Sequence, residues 1–360
     1  MSAEASIRGR PVSLDEAVRE AASILSASRS AVIAGMLTDV AGTEAALALA
    51  AAIGAAVDHA HAAAAFRNLD VMREAGWIVT TPLEVCARAD LVVLVGPGLD
   101  SAWPGYAAKL RLREPPPLKP ESARRIVRLC LGNEPSGADA MTINCDLHEL
   151  PILLGSLRAL YAGHAIRDQT PKLPQLHKCA QMLREAAYGA VLWSAQEMSG
   201  LAIEMLCGLI DDLNRTTRFA ALPLAPSGNA IGVAEACAWT CGFPFRTSFA
   251  RGSTEHDPWR YDAARIVVSG EADSAVWIAA TESLTPVWDG AVPVIAIVAP
   301  GTEFRTKPAV QILVGRPGID HSAVLFDPDC ATLVAKPAPR GELPTVAEVL
   351  RLVTDVVGVR

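Results

Sequence analysis

The stretch Ala89–Tyr106, ADLVVLVGPGLDSAWPGY, decides how the chain is read. Leu91 to Val95 form an unbroken apolar run between Asp90 and Gly96. That is the pattern of a strand buried on both faces, as in a parallel sheet. Gly96, Pro97 and Gly98 break the run and set Leu99–Tyr106 on the rim beyond the strand's carboxyl end. In open α/β sheets ligands sit in the crevice outside those ends. A weaker copy appears at Ala264–Trp277, ARIVVSGEADSAVW, with a strand expected over Arg265–Val268.

Outward from this strand, helices and strands alternate. Ser13 and Glu16 have the spacing of a capping box and open a helix running to about Ser26. A short strand is expected at Ala31–Ala34, ending at Gly35, then a helix Glu44–Ile53 capped by Thr43 and stopped by Gly54. Ala56–Asp58 reads as a strand, followed by His59 and the alanine-rich Ala60–Ala65, with a helix near Asn68–Ala75. Arg125–Leu131, closed by Gly132, and Ala140–Asn144 read as strands, and Glu149–Ala162 as a helix. The pattern restarts at strand Gly189–Trp193 and helix Glu197–Asn214. Strands are expected at Phe219–Leu222, Val294–Val298 and Ala309–Val314, and a last helix at Val346–Val357.

The two halves align as a tandem duplication. Asp100-Ser101-Ala102 matches Asp273-Ser274-Ala275, and Arg125–Glu134 matches Val294–Glu303 with Gly132 on Gly301. Ala140 falls on Ala309, and Glu149-Leu150-Pro151 echoes Glu342-Leu343-Pro344. The expected architecture is two similar α/β lobes, 1–165 and 166–360, with a discontinuous arrangement in which one lobe is inserted in the other also open.

The chain has 360 residues, enough for two domains at roughly 100–200 residues each. Apolar residues make up 51% and charged ones 20%, which supports a sizeable core. A net charge of -7 argues against nucleic acid or an anionic membrane as partner, because those need clustered Lys and Arg. The apolar run Ala45–Val57 is shorter than the ~18 residues that span a bilayer. MSAEASIRGRPV has no signal-peptide core, and the eight scattered cysteines are expected as free thiols in a reducing cytoplasm.

Several segments have chemical potential. Asp58-His59-Ala60-His61 sits after a strand, and two histidines spaced i, i+2 are able to share a zinc ion as in metal-dependent amidohydrolases. The remaining ligands of such a site are missing, so the simpler reading is polar residues at a strand end. Cys237 and Cys241 lie one helical turn apart without a second pair, which favours buried thiols over a metal site. Neither a dinucleotide fingerprint nor a phosphate-binding loop occurs, and no serine is assigned a His–Asp pair. The densest polar segment is Ser227–Tyr261, in which Asn229, Arg246, Arg251, His256, Asp257 and Arg260 lie among Trp239, Phe243, Phe245, Phe249, Trp259 and Tyr261. Arginines there suit a carboxylate or phosphate, or inter-lobe ion pairs in a long loop.

Within this segment Asn229, Gly232, Trp239, Gly242-Phe243-Pro244-Phe245 and Phe249-Ala250-Arg251-Gly252 resemble the B-type subunit of formylmethanofuran dehydrogenase, a relative of the molybdopterin oxidoreductases. Thr81-Pro82-Leu83-Glu84-Val85 and Ala89-Asp90 match as well, and the likeness runs from about residue 28 to near the end of the chain. It implies two Rossmann-like parallel-sheet lobes of the molybdopterin-oxidoreductase type.

The departures from the family carry the functional expectation. Its dehydrogenases hold an iron–sulfur cluster through N-terminal cysteines, whereas the first cysteine here is Cys86. Their tungsten or molybdenum is held by a cysteine in a Cys-His-Gly-Pro stretch, and the corresponding Ala60–Arg67, AHAAAAFR, has none. Where the family has Asn-Pro and His-Pro-Arg-His, this chain has Gly98-Leu99 and Trp103-Pro104-Gly105-Tyr106. Without thiolates neither the cluster nor the metal is held. The resemblance implies the degenerate B-type subunit of a bacterial formyltransferase/hydrolase complex, which passes a formyl group from tetrahydromethanopterin to a methanofuran-like carrier and hydrolyses it to formate. The expected role is non-catalytic, with no molybdopterin, tungsten, molybdenum or iron–sulfur cofactor. Amidohydrolase-like, glutamate-synthase-like and formyltransferase subunits are the expected partners, and Asn229, Arg246 and Arg251 the expected contacts for the carrier's polyanionic tail. The rival readings are an active formylmethanofuran dehydrogenase with metal held without a thiolate, and a zinc amidohydrolase using His59 and His61.

Overall fold

The computed structural model describes residues 4–130, 140–166, 171–288 and 290–358. Strand Leu91–Val95 is buried along its whole length. Leu91, Val93 and Val95 join one apolar cluster with Trp193 and Phe219, while Val92 and Leu94 join another with Trp103 and Tyr106. Such alternation is what a strand covered on both faces requires, and each fully buried aliphatic side chain contributes about 1.5–3 kcal/mol. Arg125–Leu129 pairs with it in parallel on one edge and Gly189–Ser194 on the other. Ala140–Ile143 and Phe219–Leu224 complete a five-stranded, all-parallel sheet. Helices Leu150–Tyr161, Leu173–Glu185 and Gly200–Leu213 press leucine stripes onto the first cluster. Asp90 is spent on this architecture: its carboxylate accepts the amides of Ala187 at 3.1 Å and Tyr188 at 2.9 Å.

The other sheet repeats the order. Val310–Leu313, Val294–Val298, Ser274–Ala279, Ala31–Leu37 and Ala56–Val57 run parallel, with antiparallel strands added at both edges. Ser274–Ala279 stands where Leu91–Val95 stands in the first sheet, and Ala31–Leu37 where Gly189–Ser194 stands. The chain is therefore mixed α/β with parallel sheets.

Two compact units emerge, but they do not follow the 165/166 division. One comprises Met1–Ala62, Ser227–Phe326 and Leu333–Arg360, the other Ala63–Pro226 and Asp327–Thr332. The reason is strand pairing: Leu91 aligns with Gly189 and Ala31 with Ser274, so each sheet draws strands from both sequence repeats. Arg125–Leu129 and Val294–Val298, aligned in the repeat, hold equivalent places; Leu131, Gly132 and Glu134 lie outside the described residues.

Local expectations are corrected in three places. Arg265–Val268 is helical, within Ala263–Val268, because the Asp262 carboxylate accepts the Arg265 amide at 2.8 Å and caps the turn. The cap of the helix Val40–Ile53 is Asp39, which accepts the Gly42 amide at 3.0 Å; Thr43 lies inside the helix and donates to the Asp39 carbonyl. The strand expected to end at Gly35 runs on to Leu37, which pairs with Ala279 across a register shift; Gly35 (φ +79°) permits this, since an added Cβ would lie 2.5 Å from the Ile278 carbonyl oxygen. The eight-thiol expectation also changes: Cys130 and Cys145 are joined as a disulfide, and the other six are free. Among the described residues no helix is long and apolar enough to cross a membrane.

Gly189 exposes how tightly the first sheet is filled. An added Cβ would lie 1.9 Å from Cε1 of the buried Phe219 ring. Gly189→Ala is expected to destabilise the protein by about 1–3 kcal/mol through overpacking, read as a lower urea midpoint at unchanged slope. An unaltered or raised midpoint would contradict this packing.

Candidate functional site

The unit containing Ala31–Leu37 gathers polar side chains at the carboxyl ends of its parallel strands, the usual ligand crevice of such sheets. Strand Ala56–Val57 delivers Asp58, His59 and His61; strand Ser274–Ala279 delivers Glu282; and the segment before helix Ala230–Cys241 delivers Ser227, Gly228 and Asn229. Gly228 makes their convergence feasible: at φ +68° an added Cβ would lie 2.3 Å from Leu37 and 3.5 Å from the His59 ring.

His59 is 3% exposed. Its Nε2 lies 3.1 Å from the Gly228 carbonyl, and its Nδ1 lies 3.0 Å from the His61 amide. These partners assign the neutral tautomer, with Nε2–H donating and Nδ1 accepting. Burial pushes its pKa down to about 3. Both ring nitrogens are engaged, so His59 offers no lone pair to a metal.

His61 Nε2 lies 3.0 Å from Glu282 Oε2 and 3.1 Å from Ser227 Oγ. Burial works upward on Glu282, but the His61 and Ser227 hydrogen bonds hold its carboxyl below the ordinary range. A serine nucleophile relay places the acid on Nδ1 and the hydroxyl on Nε2. Here acid and hydroxyl share one nitrogen, so the triangle has the arrangement of a hydrogen-bonding rim rather than of an activated serine. Sequence reasoning missed Ser227 and Glu282 as partners of His61, and the signal available was their position at strand and helix boundaries. Among the described residues no three His, Cys, Asp or Glu side chains are grouped to hold a metal ion.

The three expected carrier contacts lie in different settings. Arg246 is largely buried: its Nε faces Asp58 Oδ1 at 3.3 Å, Nη2 faces Asp262 Oδ2 at 2.5 Å, and Nη1 donates to the Pro258 carbonyl. Burial pushes the Asp58 carboxyl up to about 7, with the Arg246 cation and the Ala263 amide pulling the other way. Asn229 (φ +61°) donates from Nδ2 to the Thr38 carbonyl and accepts the Phe326 amide on Oδ1, each at 2.8 Å. Gly232 leaves the room this needs, since a Cβ there would meet Asn229 Oδ1 at 2.4 Å. Arg251 is exposed and paired with Glu255 at 2.9 Å. Burial raises the Cys237 and Cys241 thiols, and Cys241 donates to the Cys237 carbonyl at 3.1 Å.

No family model matches the sequence. The B-type subunit of the formyltransferase/hydrolase complex Fhc of Methylorubrum extorquens is 33% identical over 325 residues, covering 89% of this chain and 87% of that protein. The B-type subunit of the tungsten-containing formylmethanofuran dehydrogenase 2 of Methanocaldococcus jannaschii is 22% identical over 64% of this chain and 55% of that protein. Among solved structures, a chain of the M. extorquens formyltransferase/hydrolase complex, crystallised with methylofuran, matches with a TM-score of 0.89 and 32% identity over 98% of both chains.

Two substitutions probe the buried titratable groups. Arg246→Met leaves Asp58 and Asp262 without their cation and is expected to cost about 3–5 kcal/mol in urea unfolding; a loss under ~1 kcal/mol would mean the pair is dispensable. Unfolded His59 takes a proton below 6.5 and the folded residue only near 3, so its contribution to stability is lost as pH falls across that interval. Asp58, with 3.8 as its ordinary value and about 7 when folded, opposes this by losing stability as pH rises through that range. His59→Gln should therefore make the acid-side fall in urea midpoint shallower than in the parent, and an unchanged slope would refute the assignment.

Proposed function

The chain belongs to the B-type family of subunits found in formyltransferase/hydrolase complexes, and on that premise we propose that it is a non-catalytic structural subunit of such a complex. The complex would act in tetrahydromethanopterin-linked oxidation of formaldehyde to formate. Its amidohydrolase-like, glutamate-synthase-like and formyltransferase companions would carry the chemistry. The observation that carries this reading is the likeness over nearly the whole chain to one chain of a solved complex of that kind.

The site geometry agrees with a protein that binds rather than reacts. The residues present do not fit a thiolate-held tungsten or molybdenum centre. Directly after His61 the helix Ala62–Ala75 begins with Ala62, Ala64 and Ala65 as buried methyl groups. A methyl group offers no electron pair to a metal. We read the two parallel sheets as Rossmann-like lobes of the molybdopterin-oxidoreductase type, kept for assembly after loss of the redox centre. The carrier's anionic tail would meet Arg251, whose side chain is 65% exposed, while Arg246 and Asn229 hold the wall behind it. The dehydrogenase alternative is disfavoured by the weaker and shorter likeness to the tungsten enzyme.

Affinity purification of the tagged full-length chain from its native cells, followed by elemental analysis, tests this. Expected are three companion subunits and less than about one-tenth equivalent of tungsten, molybdenum or iron. Stoichiometric tungsten or molybdenum together with formate-linked dye reduction would overturn the proposal.

A further inference from the structure

The cysteine pair of the unit containing Leu91–Val95 has a chemistry that a structural role does not use. Cys130 follows strand Arg125–Leu129 and Cys145 lies two residues past strand Ala140–Ile143. The strands run parallel with Leu129 beside Ile143, and the Cys130 amide donates to the Ile143 carbonyl at 3.0 Å. Register alone thus brings the two residues together, with a Cα–Cα distance of 4.9 Å. That separation lies within the roughly 4.4–6.8 Å a disulfide bridges without backbone movement. The two sulfurs differ in access. Cys130 is 2% exposed, whereas Cys145 is half-buried and lines a cavity of about 160 Å³ with Glu149, Ile152, Ser156, Lys172 and Leu176. The Glu149–Lys172 ion pair, at 2.8 Å and with both side chains part-exposed, lines this cavity.

We propose that Cys130 and Cys145 are a reversible thiol–disulfide pair that exchanges with low-molecular-weight thiols and disulfides through Cys145. In the oxidising direction the Cys145 thiolate attacks one sulfur of a small disulfide, and the first small thiolate leaves. The Cys130 thiol then gives up its proton and attacks Cys145 Sγ, and the second small thiolate leaves. Two electrons pass from the protein dithiol to the small disulfide, and the two protons released convert both leaving thiolates to thiols. Reduction is the reverse, with a small thiolate entering at Cys145. The closed bond ties the carboxyl ends of two neighbouring strands, one of them at the sheet edge; the open pair leaves their backbone hydrogen bonds alone to do so.

The test incubates the purified full-length chain with glutathione at graded ratios of oxidised to reduced form, then traps thiols by alkylation in denaturant and maps the peptides. Cys130 and Cys145 should lose alkylation together as the oxidised fraction rises and regain it in excess reduced glutathione. Cys130→Ser should accumulate a glutathione adduct on Cys145, while Cys145→Ser should leave Cys130 without one. Full alkylation of both residues at every ratio, a bond left closed by excess reduced glutathione, or an adduct on Cys130 in place of Cys145 would overturn the proposal.

Discussion

The structure depends on a buried apolar strand finding parallel neighbours on both edges and cover on both faces. Leu91–Val95 has no polar face to turn to water, so every backbone group along it must be paired within the sheet. Gly189–Ser194 and Arg125–Leu129 supply that pairing, as Ala31–Leu37 and Val294–Val298 do for Ser274–Ala279. Once these strands are set, the carboxyl ends of the second set bring Asp58, His59, His61 and Glu282 to one rim.

That rim combines a rigid base with a polar edge. Asp58, Arg246 and Asp262 form a charge cluster that ties the end of strand Ala56–Val57 to the cap of helix Ala263–Val268. Asn229 does the same work with neutral groups, closing two backbone bonds at once. The His61–Ser227–Glu282 triangle is the polar part nearest solvent, and its shared nitrogen suits it to holding position rather than to driving a proton transfer.

Much of the fold was legible in the sequence because hydrophobic period is local. The run Leu91–Val95, the Ser13 capping box and the Gly54 stop all stand where the pattern puts them. The strand reading of Arg265–Val268 failed because a short apolar run has no period of its own, and a single capping carboxylate decides it. The sequence repeat was only partly visible: Arg125–Leu129 and Val294–Val298 do hold equivalent places, but Asp100–Ala102 follows its strand whereas Asp273–Ala275 leads into one, and the exchange of strand partners alters no local pattern. The same limit hid the site: Arg246 looks like a free cation among aromatics until Asp58, 188 residues away in sequence, closes on it. His61 gave no sign of Ser227 or Glu282, which are brought to it only by the sheet.

The exchange of strands also imposes an order of events on a growing polypeptide. The five-stranded parallel sheet has all its strands once residue 224 has emerged, whereas Ala31–Leu37 must wait for Ser274–Ala279, an interval illustrated by the Ser30–Asp273 hydrogen bond across 243 positions. Closing so large a loop is slow, and an early apolar strand left waiting is an aggregation hazard. Nascent chains of this design therefore have reason to rely on chaperone shelter or on early capture by a companion polypeptide.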